Sequence, residues 1–452
     1  MSEAAWRKCR NDRQLRYAGR VLDESRWVLL RVEPGYASSY EGQVAVISAA
    51  NMLARMTPSV VVDAPAVKVV SPLPWAGHEL GELILGVMGK CDPGGRFELR
   101  SEVMGDYVVH LGVGQEVRGL VAHGAGWKAY LGAGPSPVPQ SRGPNPFGAA
   151  FSAVMAVAHL FISDLGPREK SEVVDTLSWS LEEEIGSSRQ AELSVEDLGS
   201  LGDLWVVGVG SVGTAVLYFL TLLTREFSAS VFDMDDVKIE NLDRSPIFFE
   251  KDVGEKKADV TACYLRAVGV RDVVSEAIAL DEARRWSERE VGTPDLVIAS
   301  ANERNVRYLI ETAYPPLQVY GTTGKNWQAA SVRHLPFEDS CSCCLFPESE
   351  SRDPVCGGGK VVTERETVDG SLPFLSFAAG LMAAADIVKL RAGAPPRREN
   401  VTVFSTKPGF RFQRMRRPVR KDCVCGSRNR RVHERVLEGT RYGIYSSQGI
   451  RD

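Results

Sequence analysis

Along the C-terminal half of the chain, hydrophobic and polar positions switch between two periods. "LWVVGVG" (Leu204 to Gly210) is a short β-branched apolar run, and "SVGTAVLYFLTLLT" (Ser211 to Thr224) follows it with apolar residues spaced for one face of a helix. "ASVFDMD" (Ala229 to Asp235) is a second short run that ends in acids, and "PDLVIASA" and "LQVYGTT" repeat the strand pattern with small residues at their ends. Strands alternating with helices predict βαβ units and a parallel, doubly wound α/β sheet.

The N-terminal half carries weaker versions of the same runs. "SVVVDA", "DYVVHLGVG" and "RGLVAHGAGWKAYLGAG" read as strands, and an apolar helix follows "GPNPFGAA". The best glycine loop of this half, "GVGQEV" (Gly112 to Val117), lacks a third glycine and leads into no clear helix. No strict repeat links the halves, so their kinship rests on pattern alone. The polar, acidic stretch "SWSLEEEIGSSRQAELSVEDLGSLGD" (Ser178 to Asp203) reads as the connector between them.

Composition narrows the class. The 452 residues are 44% hydrophobic with a net charge of −4, enough for ordinary cores and without global attraction to nucleic acid or an anionic membrane. The start has no apolar signal core, and "GAAFSAVMAVAHLFI" (Gly148 to Ile162) is too short for a membrane span. A cytoplasmic protein is expected. Most of the nine cysteines fall late in the chain, as "CSCC", Cys356 and "CVC", a clustering that points to metal ligands and a free thiol rather than to disulfides. Cys341 and Cys344 form a CxxC, and Cys423 with Cys425 form a CxC; four thiolates suit a closed tetrahedral zinc site, with Cys343 a rival ligand. The six histidines are scattered without ligand spacing and receive no catalytic role.

The chemistry begins at "GVGSVG". Gly208 permits a tight turn, Gly210 lets phosphate or ribose approach the backbone, and Gly213 lets the helix pack close to the strand. Asp233, at the end of the second strand, can accept hydrogen bonds from ribose hydroxyls. These features alone equally fit an NAD(P)-dependent oxidoreductase. The next segment does not, because "DMDDVKIENLDRSPIFFEKDVGEKKADV" brings Asn241, Arg244 and Lys257 just downstream of the acids, where cations can neutralise a triphosphate.

At this point the second half resembles the ubiquitin-activating enzymes and their bacterial relatives of the ThiF/MoeB type. "VVGVGSVGT" is similar to their nucleotide loop, "FDMDDVKIENLDR" to their acid-then-Asn-Leu-x-Arg segment, "VGEKKA" to their phosphate-lysine helix start, and "CLFP" with "CVCG" to their zinc clamp. The resemblance implies a Rossmann-like adenylation domain with a zinc clamp over residues 200–450, preceded over 1–180 by a degenerate, inactive adenylation-like α/β domain. It also implies ATP, magnesium and zinc, with Gly208, Gly210, Gly213 and Asp233 around adenosine and Asn241, Arg244 and Lys257 around the phosphates. Where the family carries a magnesium-binding aspartate, this chain has Asn302, so Asp235 takes more of the metal.

Cys356 matches the catalytic cysteine of the family's crossover loop, here 346–372, and would accept the acyl group as a thioester. The implied partners are a ubiquitin-like or sulfur-carrier protein with a flexible C-terminal tail and a separate conjugating enzyme or acyl acceptor, with a homodimer as one assembly. The arginine-rich "NDRQLRYAG" near the N-terminus resembles the stretch whose arginine reaches the ATP phosphates of the other half. By that match Arg13 is the finger. A catalytically weakened nucleotide-binding scaffold is the remaining alternative.

Overall fold

The computed structural model of the chain describes residues 3–19, 21–101, 105–114, 119–139, 143–162, 170–182, 193–283, 293–301, 304–313, 315–324, 327–345, 371–427 and 430–443. Its architecture is one strand order laid down twice. The first sheet is built from β1 (Val28–Val32), β2 (Ser59–Asp63), β3 (Arg96–Leu99), β4 (Tyr107–Leu111), β5 (Leu120–Ala125), β6 (Lys128–Gly132), β7 (Glu172–Asp175) and β8 (Ser180–Leu181). Their order across the sheet is β3-β2-β1-β4-β5-β6-β7-β8.

The second sheet runs through β9 (Gly202–Val207), β10 (Phe227–Phe232), β11 (Val273–Glu276), β12 (Leu296–Ala299), β13 (Gln318–Gly324), β14 (Gln328–His334), β15 (Val401–Ser405) and β16 (Arg411–Met415). Its order, β11-β10-β9-β12-β13-β14-β15-β16, repeats the first strand for strand. In both, five parallel strands are extended by three antiparallel ones. The doubly wound part is the one expected, and the antiparallel extension makes each sheet mixed.

The helices follow the same duplication. After the N-terminal α1 (Glu3–Ala18) and the short α2 (Pro34–Ala37), α3 (Tyr40–Ala54) follows β1, α4 (Leu80–Cys91) follows β2 and α5 (Pro146–Ile162) joins β6 to β7. In the second half α6 (Ser211–Leu223), α7 (Lys257–Ala267) and, further on, α10 (Pro373–Arg391) take the matching places, with α8 (Arg304–Thr312) and α9 (Ser342–Leu345) between them and α11 (Arg430–Glu438) at the end. Small residues let α10 lie close on α6: a Cβ on Gly380 would come within 2.4 Å of the Ala215 Cβ. By length and composition α10 is apolar enough to cross a membrane, yet 94% of its apolar window is buried within the fold.

One hydrophobic core runs through both halves, from Trp6 and Leu30 to Phe374 and Phe404. α5 packs against α10 across the middle. Nearby, Phe151 meets Phe404 edge-on and Phe412 at a tilt, and Trp179 stacks on Phe412, at centroid separations of 5.0 to 5.9 Å. The Lys389 ammonium sits 4.5 Å from the Trp179 ring, and Asp386 accepts from Trp179 Nε1 and Ser331 Oγ. Trp179, Ser180 and Leu181 therefore belong to the first sheet and its core, although the sequence reads the connector as starting at Ser178. Polarity around them hid a strand of two residues that is held from the other half, where Arg397 donates to the carbonyls of Leu177 and Ser178.

Candidate nucleotide site at the C-terminal sheet

The strand order of the second sheet reverses between β9 and β12, and a crevice opens there at the carboxyl ends of the strands. The loop after β9 forms its floor. Gly208 has φ of 86°, and a Cβ on it would come within 2.7 Å of the Ala301 main-chain nitrogen. In the first turn of α6, a Cβ on Gly213 would lie 2.2 Å from the Gly208 carbonyl oxygen, so loop and helix can touch only through glycine. Around Gly210 the space is open, with no atom within 4 Å of where a Cβ would stand. Gly210 opens α6 without a side-chain cap, which leaves first-turn amides for an anion.

The loop after β10 supplies the acids. Asp233 is half-buried and accepts from Val209 N at 2.8 Å and from Asp235 N at 3.0 Å. Burial pushes its pKa up from the usual carboxylate value, opposed by Lys257 and those two amides. Asp235 pairs with the Lys257 Nζ at 2.6 Å, and its carbonyl accepts from the Lys257 amide at 3.0 Å. Lys257 is the first residue of α7, so both its charge and the helix N-terminus face the acids.

Two arginines from opposite halves meet on one carboxylate. Arg13, on α1, places Nε 2.6 Å from Asp243, and its guanidinium also faces the Glu240 carbonyl at 3.4 Å. Arg244 donates to the other oxygen of Asp243 at 2.8 Å and to the same Glu240 carbonyl. Asn241 lies in the short 3₁₀ turn Ile239–Asn241, where its side-chain oxygen accepts from Lys238 N at 2.9 Å. Asp243 is the residue sequence reasoning missed: in "NLDRSP" it has no ligand-like spacing, and only the cross-half approach of Arg13 reveals it.

The neighbouring arginine behaves differently. Arg10 is buried, with Nη1 3.2 Å from Asp92 and a second pairing to Glu24, so it anchors α1 within its own half. The crowd of charge at the N-terminus thus divides into a fastening and a reach. Asn302 and Cys356, with 346–370 of the crossover loop, lie outside the described residues.

The four predicted zinc ligands come together. The Sγ atoms of Cys341, Cys344, Cys423 and Cys425 all lie within 4.8 Å of one another, with neighbouring pairs 3.4 to 3.8 Å apart. A tetrahedral ion with Zn–S of about 2.3 Å requires edges of about 3.8 Å, so the cluster fits zinc. Cys343 packs beside the four without joining them. Arg420 N donates to the Cys344 sulfur at 3.3 Å, and hydrogen bonds from Cys341 and Cys425 hold the Cys344 thiol well below its ordinary range. In the C-terminal segment, left unassigned by the sequence, α11 packs on this half: His433 contacts the Pro315 carbonyl and the Tyr442 hydroxyl donates to Leu201 O at 3.2 Å.

The matching position of the first half is built differently. The equivalent of the 208–213 loop is the segment after β1, not "GVGQEV", which follows β4. There the Glu33 carboxylate accepts from Val113 N at 2.8 Å and Gly114 N at 3.3 Å. An exposed carboxylate, bonded to amides of the loop after β4, thus stands where the other half has Gly208.

Residues 185–426 match the model of the ThiF family, and residues 27–174 match the model of the BilD N-terminal domain. The sulfur carrier protein adenylyltransferase of Thermus thermophilus is 31% identical over 233 residues, 49% of this chain and 81% of that protein. The SAMP-activating enzyme E1 of Haloferax volcanii is 25% identical over 228 residues, 49% of this chain and 79% of that one. Among solved structures, Escherichia coli MccB with ATP aligns with a TM-score of 0.40 at 18% identity, covering 51% of this chain and 69% of MccB.

Proposed function

The chain belongs to the ThiF family and is an ATP-dependent adenylyltransferase, and we propose that it activates the C-terminal carboxylate of a small ubiquitin-like or sulfur-carrier protein. A carboxylate oxygen attacks the ATP α-phosphorus, the bond to the β-phosphate oxygen breaks, and acyl adenylate and pyrophosphate form. What most supports this reading is the meeting of Arg13 and Arg244 on one carboxylate, in a segment tied to the glycine-loop helix through Ser245 and Thr214, together with Lys257 paired to the acid after β10. Such cations neutralise charge that shifts from the α-phosphate onto pyrophosphate.

Within this reading Asp233 takes the ribose hydroxyls and Asn241, Arg244, Lys257 and Arg13 take the phosphates. Asp235 and Asn302 would hold magnesium, whose charge would offset that of the phosphates; a hard cation prefers such oxygen ligands. The first half is a non-catalytic partner, with Glu33 where the second half carries the first glycine of its nucleotide loop. Because Arg13 and the loop it reaches lie on the same chain, the site is complete without a second copy.

In the second step the Cys356 thiolate attacks the acyl carbonyl and AMP leaves, giving a thioester that a separate acceptor protein takes over. Cys356→Ala is expected to retain ATP–pyrophosphate exchange while losing a carrier adduct cleaved by thiols; an adduct of unchanged yield would place the acyl group elsewhere. Lys257→Ala removes a charge-assisted contact and is expected to weaken MgATP binding by about 10- to 100-fold in calorimetry. Unchanged affinity would exclude Lys257 from the phosphates.

The oxidoreductase alternative leaves Arg13, Arg244 and the four clustered thiols without a task. The scaffold alternative is tested by exchange itself: a neighbouring gene for a small protein ending in Gly-Gly supplies the carrier to assay, and absence of exchange with that carrier, once its binding is established, would favour the scaffold.

A further inference from the structure

Arg55 follows the last residue of α3 in the first half and is fully buried, yet among the described residues it closes no ion pair, the Asp243 charge acting on it only at longer range. Its Nε donates to Asn51 Oδ1 at 2.9 Å. The rest of the guanidinium crosses to the other half, donating to the Phe248 and Pro246 carbonyls at 3.2 Å each and to the Leu242 carbonyl. The Asn51 amide adds a bond to the Pro246 carbonyl at 3.1 Å, and the Phe249 ring lies 5.5 Å from the guanidinium carbon. Every acceptor beyond Asn51 belongs to the segment that carries Asp243 and Arg244.

We propose that Arg55, oriented by Asn51, is a positioning residue that fixes residues 242–248 of the opposite half and so sets Arg244 and Asp243, and through Asp243 the arginine finger Arg13, for the triphosphate. The proposal rests on the reading of Arg13 and Arg244 as phosphate contacts. A planar guanidinium suits the task because it fans its donors over three carbonyls at once, which a lysine ammonium cannot match. Three backbone anchors leave little freedom for a loop otherwise tied to α6 by the Ser245 and Thr214 hydroxyls, 2.9 Å apart.

The duplicated architecture supplies a comparison inside the same molecule. α6 ends in the same place as α3 within its half, and Arg225, two residues beyond it, also crosses over, to the Pro72 carbonyl in the loop after β2. That loop corresponds to the one after β10 that Arg55 holds. The two crossings are unequal. Arg225 is only half-buried and reaches one carbonyl, whereas the arginine that serves the crevice lined with phosphate-binding candidates is fully enclosed and reaches three. An arginine that merely glued the halves together would have no reason to differ between the two directions.

The test is a double-mutant cycle on the full chain with MgATP as the titrant and thermal melting as the control. Arg13→Ala and Arg55→Lys are each expected to weaken MgATP binding about tenfold, and together hardly more than either alone, because Arg13 is already unmoored once the 242–248 segment shifts. Parental affinity in Arg55→Lys would overturn the proposal, and so would losses that simply multiply, as they do for a residue whose role is general stability. Asn51→Ala, milder for folding, is expected to show the same non-additivity on a smaller scale, so misfolding of Arg55→Lys does not shelter the idea: multiplying losses there would also overturn it. Unchanged affinity in both Arg13→Ala and Arg244→Ala would instead remove the phosphate reading on which the proposal stands.

Discussion

Arg13→Ala is expected to slow acyl-adenylate formation by about 10²- to 10³-fold, the loss that follows removal of one preorganised donor from a charge-stabilising site. Its stability cost is small, because Asp243 keeps Arg244 when Arg13 goes. Arg10→Ala gives the opposite pattern. It removes the buried guanidinium paired with Asp92, itself fully buried, and breaking such a pair costs roughly 3–5 kcal/mol. Melting curves and pyrophosphate exchange measured side by side on the two variants separate the roles. Equal, mild exchange losses in both would return the whole stretch to surface charge.

The second large effect concerns the thiol cluster. Cys423→Ser is expected to reduce zinc content to well below one ion per chain and to lower the melting temperature by about 5 °C or more, since binding energy at a structural zinc site is folding energy. The coupling follows from position. Cys341 and Cys344 precede the crossover segment, and Cys423 and Cys425 follow β16, so the ion would tie both flanks of the adenylating half to one point. Full zinc occupancy in the variant would refute the ligand set, and Cys343 would then replace Cys423.

How legible these features were depends on whether their cause is local. The glycine loop, the acids after β10, the lysine opening α7 and the paired cysteines all announce themselves within a few residues, because turn, helix start and chelation impose short spacings. α3 is harder to read: nearly every residue of "YEGQVAVISAANMLA" is buried, so no polar stripe marks the helix period. β1 escaped notice although Glu33, Pro34 and Gly35 punctuate its end, because the run "VLLRV" is short and interrupted by Arg31. Asp243 and Arg55 owe their roles to partners far away in sequence, and a carbonyl oxygen as acceptor leaves no mark in the residue code at all. Glu33 was invisible for a related reason, since its equivalence to Gly208 is defined by strand order and not by a motif.

Two sheets of identical order on a single polypeptide also bear on how such a molecule can change. In a symmetric pair of separate chains, every substitution appears in both copies, and a glutamate that replaced the loop glycine in one would replace it in the other. Here the copies are encoded separately, so a residue at 33 can drift without touching 208, and Arg55 can deepen its grip while Arg225 loosens. Covalent linkage converts a shared constraint into two independent ones, and division of labour between the halves becomes open to single mutations.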